Sequence, residues 1–356
     1  MPVVIIKNKF LMLFMILSFA FNLEEGFCLQ LGDGTDNDQY SPVKIMDDVK
    51  SVSEGRLHTL FVKQDDIVWA TGINEFGQLG TGDKISRNVP VKVADDACSV
   101  SVSSIYSLIL KNNGDLYIAG KIPLTFENSK VSDGVMEFRF LDKDVVSVSS
   151  ADFYSVYIKK DNSLWFVGHN NFGLCKEYKK YAWAPPTKIL DNIRAVFAGV
   201  LSIKYIDYTG SAYDIGTGEK IAENVIAITS GLILKENFSL WGKGFNYYGS
   251  LGLGKNNLFV KDFMHVMDNV KDVKENEYHS LILSNEGDVY VCGNGGTKYT
   301  KFGASGDGKN GEYFTPVKLM SNVKCIEIGV HNCFVIKDDG SLWAWGLNSR
   351  NPLMDY

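Results

Sequence analysis

Apolar and polar residues fall in short alternating runs along most of this 356-residue chain, and turn-forming residues interrupt them every few positions. The stretch KSVSEGRLHTLFVKQDDIVWATGINEFG, from Lys50 to Gly77, is representative: β-branched, aromatic and aliphatic residues cluster between breaks at Glu-Gly, Gln-Asp-Asp and Asn-Glu-Phe-Gly. Such a pattern predicts strands joined by tight turns. The tetrapeptides NNGD, KDNS, NEGD and KDDG, beginning at Asn112, Lys160, Asn285 and Lys337, supply Asn, Asp and Gly where a hairpin needs positive φ or a side chain that caps the backbone. Beyond the N-terminal apolar run, no segment carries the 3.6-residue period of an amphipathic helix. The pattern predicts an all-β fold.

Self-comparison gives that fold a period. QLGDGTDNDQYSPVKIM, Gln30 to Met46, returns as QLGTGDKISRNVPVKVA at Gln78 to Ala94, 48 residues later. An aromatic residue after a turn recurs as Trp69, Tyr117, Trp165, Tyr213, Trp241, Tyr290 and Trp343, with gaps of 48, 48, 48, 28, 49 and 53. Three positions after each stands a glycine: Gly72, Gly120, Gly168, Gly216, Gly244, Gly293 and Gly346. A period in this range means units that cannot bury their own apolar face and must stack on their neighbours. The fourth gap is short by about 20 residues. The second unit replaces the N-x-x-G-Q-L-G segment with KIPLTFENSKVSDGVMEFRF, and the third carries KEYKKYAWAPP.

These segments resemble the regulator of chromosome condensation repeat, whose units combine PVKI, a SVSxGxxH[ST]L segment, a hairpin, LWxWGxN and GQLGxG. The resemblance covers nearly all of residues 30–348, and Pro42 to Val89 is the fullest copy. It implies a seven-bladed β-propeller with four antiparallel strands per blade, an architecture that leaves only short, protected sheet edges. The last repeat, KDDGSLWAWGLNSR, lacks the GQLGxG and PVKI portion with which the repeats begin at Gln30. The ring is therefore expected to close by pairing Gln30–Met46 in one blade with the C-terminal strands.

Composition bounds the rest. A 45% apolar and 22% charged chain can bury a large core, and a net charge of −6 argues against a nucleic-acid partner, which requires a basic face. Ahead of the repeats, Lys7 and Lys9 precede the apolar run Phe10 to Phe21, followed by Asn22, Glu24 and Glu25. That is the order of a secretory signal. The 12-residue run falls short of the roughly 20 residues that cross a bilayer. Residues 1–22 are accordingly expected to be a signal peptide, cleaved near Ala20, and residues 29–349 a propeller that is secreted or extracytoplasmic, with no stable membrane span. Cys28, Cys98, Cys175, Cys292, Cys325 and Cys333 form no C-x-x-C pair and no recurrent spacing, so neither a zinc site nor a disulfide framework is indicated. Cys325 and Cys333 are near enough in sequence to meet across a hairpin.

Candidate chemistry is sparse. His58, Tyr106, Tyr154, Ser202, Ser230, His279 and Asn332 recur ahead of the second strand of each unit, and one polar position repeated seven times reads as inter-blade architecture. GASGDGKN, at Gly303 to Asn310, approaches a phosphate-binding loop but ends in Asn310, not a magnesium-ligating hydroxyl, and no helix follows. DGTDND, at Asp33 to Asp38, lacks the order and distal glutamate of an EF-hand loop. Neither H-E-x-x-H nor G-x-S-x-G occurs. No catalytic, cofactor-binding or metal-ligating residue is expected. Tyr178, Tyr181 and Trp183, beside Lys176, Lys179 and Lys180 in the divergent third unit, are the candidate contact surface, because stiff aromatics anchor binding interfaces. The expected function is an exported, non-catalytic propeller that binds a protein or other macromolecule through loops on one face. The alternative implied by the family is guanine nucleotide exchange on a small GTPase; a carbohydrate-acting propeller enzyme, needing paired carboxylates, is a third.

Overall fold

The computed structural model describes residues 30–348 except 123–124, 127–128, 131–133, 172, 181, 200–201, 295–304, 310 and 330–331. The expected signal segment, residues 1–22, lies outside the described residues. Every regular element among those described is a strand. They form seven four-stranded antiparallel sheets and one small hairpin, Thr125–Phe126 with Ser129–Lys130, in the divergent second unit.

The sheets are the blades of a ring, each with strands a to d from the axis outward. Blade 1 consists of Val49–Glu54, His58–Lys63, Val68–Gly72 and Arg87–Ala94, and blade 2 of Ala97–Val102, Tyr106–Lys111, Leu116–Gly120 and Val135–Asp142. Blade 3 runs Val145–Ser150, Tyr154–Lys159, Leu164–His169 and Trp183–Leu190; blade 4 runs Ile193–Ala198, Ile203–Asp207, Ala212–Asp214 and Lys220–Ala222. Blade 5 is Val225–Ile228, Leu232–Lys235, Leu240–Phe245 and Phe259–Met267, and blade 6 is Val270–Glu275, His279–Ser284, Val289–Asn294 and Glu312–Met320. Blade 7 takes strands a to c from Val323–Ile328, Asn332–Lys337 and Leu342–Gly346, and its outer strand from Gln39–Met46 at the other end of the chain. Gln39 lies opposite Gly346, Val43 opposite Ala344 and Met46 opposite Leu342. The expected closure and the count of seven both hold.

The apolar core sits between blades, as the repeat logic requires. Leu60, Val62, Val68 and Ala70 of blade 1 pack on Ala97, Val100, Val102 and Ile109 of blade 2, and six further clusters fill the other junctions. The closing junction buries Phe334, Ile336, Leu342 and Ala344 against Val49, Val52, Phe61 and Leu31, with the Phe61 and Phe334 rings 6.3 Å apart. The junction of blades 4 and 5 is the thinnest: five fully buried side chains among the described residues, against eight to eleven at the other six.

Hydrogen bonds repeat with the same period. The first N–H of every strand a donates to the b–c hairpin of the preceding blade at 2.9–3.0 Å, from Ala97 to Asp66 O through Val323 to Gly287 O, and Val49 to Gly340 O completes the belt across the seam. Each turn from strand d into the next blade places one residue at φ 56–63°: Asp48, Asp96, Asp144, Asn192, Asn224, Asn269 and Asn322. Asp and Asn tolerate that left-handed conformation better than other side chains.

The recurring glycine has a steric cause. A Cβ on Gly72 (φ +113°) would lie 2.5 Å from His58 Cα, and one on Gly168 would lie 2.5 Å from Tyr154 Cα. In blades 1, 2, 3 and 6 strand c can therefore meet strand b only without a side chain, whereas in blade 5 nothing lies within 4 Å of a Cβ on Gly244. In blade 4, strand c stops at Asp214, before Gly216, and the glycine loses that role. Three of the four recurring tryptophans are pinned from two sides. Trp165, Trp241 and Trp343 donate their indole N–H to Ser163, Ser239 and Ser341 at 2.8, 2.8 and 2.9 Å, with Lys159, Lys235 and Lys337 Nζ 4.1, 4.9 and 4.3 Å from the ring centres. Lys-over-ring pairs of this kind add cation–π attraction.

Candidate interaction face

The b–c hairpins and d–a turns share one end of the ring, where the hydrogen-bonded belt uses up their backbone groups. The a–b and c–d connections share the other, and variation collects there. The c–d connection has 14 residues (73–86) in blade 1 and 13 (246–258) in blade 5, but 5 (215–219) in blade 4.

In blades 1, 3, 5 and 7 an asparagine two positions after the recurring glycine organises the c–d loop from inside. Asn74 Oδ1 accepts the N–H of Leu79 at 2.9 Å, while its Nδ2 donates to Thr81 Oγ1 and Asp83 O. Asn170 holds Cys175 N–H at 2.9 Å and donates to Tyr178 O; Asn246 holds Leu251 N–H at 2.8 Å and donates to Asn257 O. Asn348 does the same across the seam, accepting from Leu31 N–H at 3.2 Å and donating to Asp33 Oδ1 and Thr35 O at 3.0 and 2.8 Å. The acid-rich DGTDND segment is thus internal wiring: Asp33 also accepts from Thr35 N–H at 2.9 Å and from Gln39 Nε2 at 2.7 Å. Around the former phosphate-loop candidate, Ser305 Oγ and Lys309 N–H both donate to Asp307 Oδ1 at 2.9 Å, so a carboxylate fills the centre of that turn.

In four junctions the loop then crosses onto strand d of the following blade. A Cβ on Gly77 would lie 2.7 Å from Met136 Cα of blade 2, and one on Gly249 3.1 Å from Phe314 Cα of blade 6. Further along, Gly82, Gly254, Gly308 and Gly34 donate N–H to Met136 O, Phe314 O, Tyr40 O and Asn88 O at 2.8, 2.7, 2.9 and 2.9 Å. Met136, Phe314 and Asn88 occupy one register position, the residue after the partner of the recurring glycine. In blade 5 that position is Lys261.

The polar ring ahead of strand b reaches from blade to blade. His58 Nε2 is 2.7 Å from Ser107 Oγ, Tyr106 Oη 2.8 Å from Ser155 Oγ and His279 Nε2 3.3 Å from Cys333 Sγ, while Tyr154 Oη donates to Ser202 O at 3.2 Å. Asn332 Nδ2 donates to Glu54 Oε1 at 2.8 Å and so links blade 7 to blade 1. Burial pushes His58 down to about 3, so its imidazole is neutral at physiological pH. Burial raises the Glu54 carboxyl well above the usual range, against the opposing hydrogen bond from Asn332. At the inner wall, Lys274 Nζ lies 3.2 Å from Glu327. No group of three or more His, Cys, Asp or Glu among the described residues could hold a metal ion. Cys98, Cys175, Cys292, Cys325 and Cys333 are free thiols; Cys325 faces Ile336 and Cys333 faces Ile328, so those two sit on different rungs of their hairpin.

Of the sequence-predicted contact residues, Trp183 is half-buried, its ring 6.3 Å from Tyr106 and 5.2 Å from His169 in edge-on contacts at the junction of blades 2 and 3. Tyr178 is half-buried against the core between blades 3 and 4. Tyr181 lies outside the described residues. The open aromatic surface is elsewhere on the same face, at blade 5: Phe245, Tyr247, Tyr248 and Phe259 are 62, 58, 44 and 59% exposed, with Leu258 beside them. Phe245 stacks on Tyr247 at 5.7 Å and meets Phe259 edge-on at 5.1 Å. The signal was in the sequence, because FNYYGS lies in the fifth unit, the one after the shortened fourth.

Residues 65–108 match the family model of the regulator of chromosome condensation (RCC1) repeat. The chain is an RCC1-repeat propeller. The matched unit starts in the b–c turn of blade 1 and ends in strand b of blade 2, so repeat and blade are out of phase, which is why the ring is sewn shut by its two ends. The propeller is 30% identical over 119 residues to the X-linked retinitis pigmentosa GTPase regulator homolog of Caenorhabditis elegans, covering 32% of this chain and 8% of that protein. It is 28% identical over 130 residues to the human RCC1-like G exchanging factor-like protein, covering 32% of this chain and 26% of that one. The crystal structure of human WBSCR16 superposes with a TM-score of 0.68 at 16% identity, over 87% of this chain and 89% of that one. The chain thus spans under a third of the length of these curated relatives, and the WBSCR16 likeness concerns the fold. No helix among the described residues is long and apolar enough to cross a membrane.

Proposed function

We propose that this RCC1-repeat propeller is an exported, non-catalytic binding protein that engages a protein partner through its loop face. The observation that carries the reading is the exposed cluster of Phe245, Tyr247, Tyr248 and Phe259 on the face where loop length varies. Clustered aromatics that stay exposed mark interaction sites, and Tyr and Phe anchor interfaces at low entropic cost. The buried polar ring supports the absence of catalysis, since its members are engaged with neighbouring blades. Export rests on the order of charge and hydrophobicity in residues 1–25.

A photo-crosslinking residue at Tyr247, and a second at Asp65 on the opposite face, test this in the native host. Adducts from Tyr247 and none from Asp65 are expected, on protein whose mature N-terminus falls between about residues 20 and 29. Adducts confined to Asp65, or an intact Met1 in the cytosol, defeat the reading. The likeness to an exchange-factor-like protein favours a second reading, nucleotide exchange on a GTPase. Accelerated release of labelled GDP from a small GTPase would establish it in place of the first.

A further inference from the structure

The exposed aromatics of blade 5 are a place where the ring has lost a part. In four junctions a c–d loop lies over strand d of the next blade and sets a glycine N–H on the carbonyl of Met136, Phe314, Tyr40 or Asn88. Blade 4 has no such loop. Its connection is a five-residue turn closed on itself, Asp214 Oδ1 accepting Thr217 N–H at 3.0 Å and Gly218 N–H donating to Asp214 O at 2.8 Å, and nothing lies within 4 Å of a Cβ on Gly218. Lys261, in register with Met136 and Phe314, receives no loop donor among the described residues.

Two further differences deepen the gap. Where blades 2 and 3 begin strand b with Tyr106 and Tyr154, which fill the junction to the next blade, blade 4 has Ser202. Trp183 of blade 3 and Phe259 of blade 5 hold equivalent positions, each edge-on to the residue after the recurring glycine, His169 and Phe245. Trp183 is covered by Tyr106, whereas Phe259 is 59% exposed. The missing loop also contributes no leucine to the core, whereas Leu79, Leu31 and Leu251 enter theirs fully buried, and this junction has the thinnest core of the seven.

We propose that this notch is the docking site for a glycine-containing loop of a partner protein, which enters between blades 4 and 5 in the place of the loop that blade 4 lacks. The surface is continuous with the strips that the chain itself covers in its other junctions, and those strips fix what fits: a turn with glycine at positive φ crossing strand d, an N–H for the Lys261 carbonyl, and an aliphatic side chain set between Phe245 and Phe259. This rests on the loop face being the binding face.

The probe is the chain's own blade 1 loop, Ile73–Ser86, as a cyclic peptide titrated onto the full-length protein by fluorescence anisotropy. Saturable binding is expected, weakened at least tenfold by Phe245→Ser with Phe259→Ser, and lost when residues 215–219 are replaced by the sequence of residues 73–86. That graft should also raise the melting temperature, which separates filling of the notch from misfolding. The proposal falls if no saturable binding is seen up to about 1 mM peptide, or if binding survives both changes. It also falls if Phe245→Ser instead dissociates a dimer of this chain in sedimentation, or abolishes retention on a polysaccharide. The Tyr247 crosslink separates the two readings. Adducts that the cyclic peptide does not displace leave the loop face as the binding face and overturn the notch. Saturable peptide binding at the notch without Tyr247 adducts overturns the first and leaves the second.

Discussion

Removing the Asn348 side chain should unlock the ring at its seam. Asn348 is fully buried, and its amide accepts from Leu31 N–H and donates to Asp33 Oδ1 and Thr35 O, all some 313–317 residues away in sequence. In Asn348→Ala, Asp33 keeps Thr35 and Gln39, but the buried Leu31 N–H and the Thr35 carbonyl lose their side-chain partner. At about 1–2 kcal/mol for each orphaned group, the substitution should cost about 2–4 kcal/mol. Asn74→Ala is the control, because it removes equivalent bonds from a loop whose two ends belong to one continuous segment. Urea unfolding should show similar global losses for the two variants. Hydrogen exchange should separate them: Asn348→Ala should speed exchange along Gln39–Met46, the edge strand that pairs only with Leu342–Gly346, while Asn74→Ala leaves it protected. Equal protection of Gln39–Met46 in the two variants would refute the view that Asn348 locks the seam.

Glu54 supplies a pH dependence with a definite sign. Its folded-state value is raised above the unfolded one, so the native state holds the proton longer; the contribution is intact below about pH 4.3 and is lost as pH rises towards the folded value, by up to about 1.4 kcal/mol per pH unit. Glu54→Gln, which keeps an acceptor for Asn332, should flatten that slope and stabilise the protein at pH 8, and a steeper slope in urea titrations would contradict it. Phe238 sits at φ 61° in a hairpin position held elsewhere by Asp66, Gly114, Asn162, Gly210, Gly287 or Gly340. Phe238→Gly should therefore gain about 1 kcal/mol from relieved strain, less a few tenths from unfolded-state entropy; an unchanged or lower melting temperature would show that the aromatic side chain earns its place by packing.

The fold was legible because its determinants are local and repeated. The aromatic, the glycine three positions later and the turn before them each answer a steric or hydrogen-bonding problem that recurs around the ring, and all three are kept in seven copies even where, as at Gly216 and Gly244, the close approach is absent. The seam was legible for the same reason, as half a unit at each end. The Asp or Asn that turns each strand d into the next blade was equally periodic, in MDD, ADD, DKD, LDN, AEN, MDN and MSN, but a turn residue surrounded by other polar residues stands out less than a tryptophan.

The contact surface is harder to read, because exposure at one blade depends on what the preceding blade contributes. Trp183 and Phe259 look alike in sequence, each a large aromatic at the start of an outer strand. Tyr106 shields the first, and the absence of both a tyrosine and a long loop in blade 4 bares the second. Reading one repeat at a time therefore ranks the aromatic-rich segment KEYKKYAWAPP above FNYYGS, whereas comparing each unit with the one before it reverses the order. The deletion in unit four and the aromatics of unit five are one feature. In this propeller the exposed aromatics stand just after the shortened unit, where the missing loop leaves strand d of blade 5 uncovered.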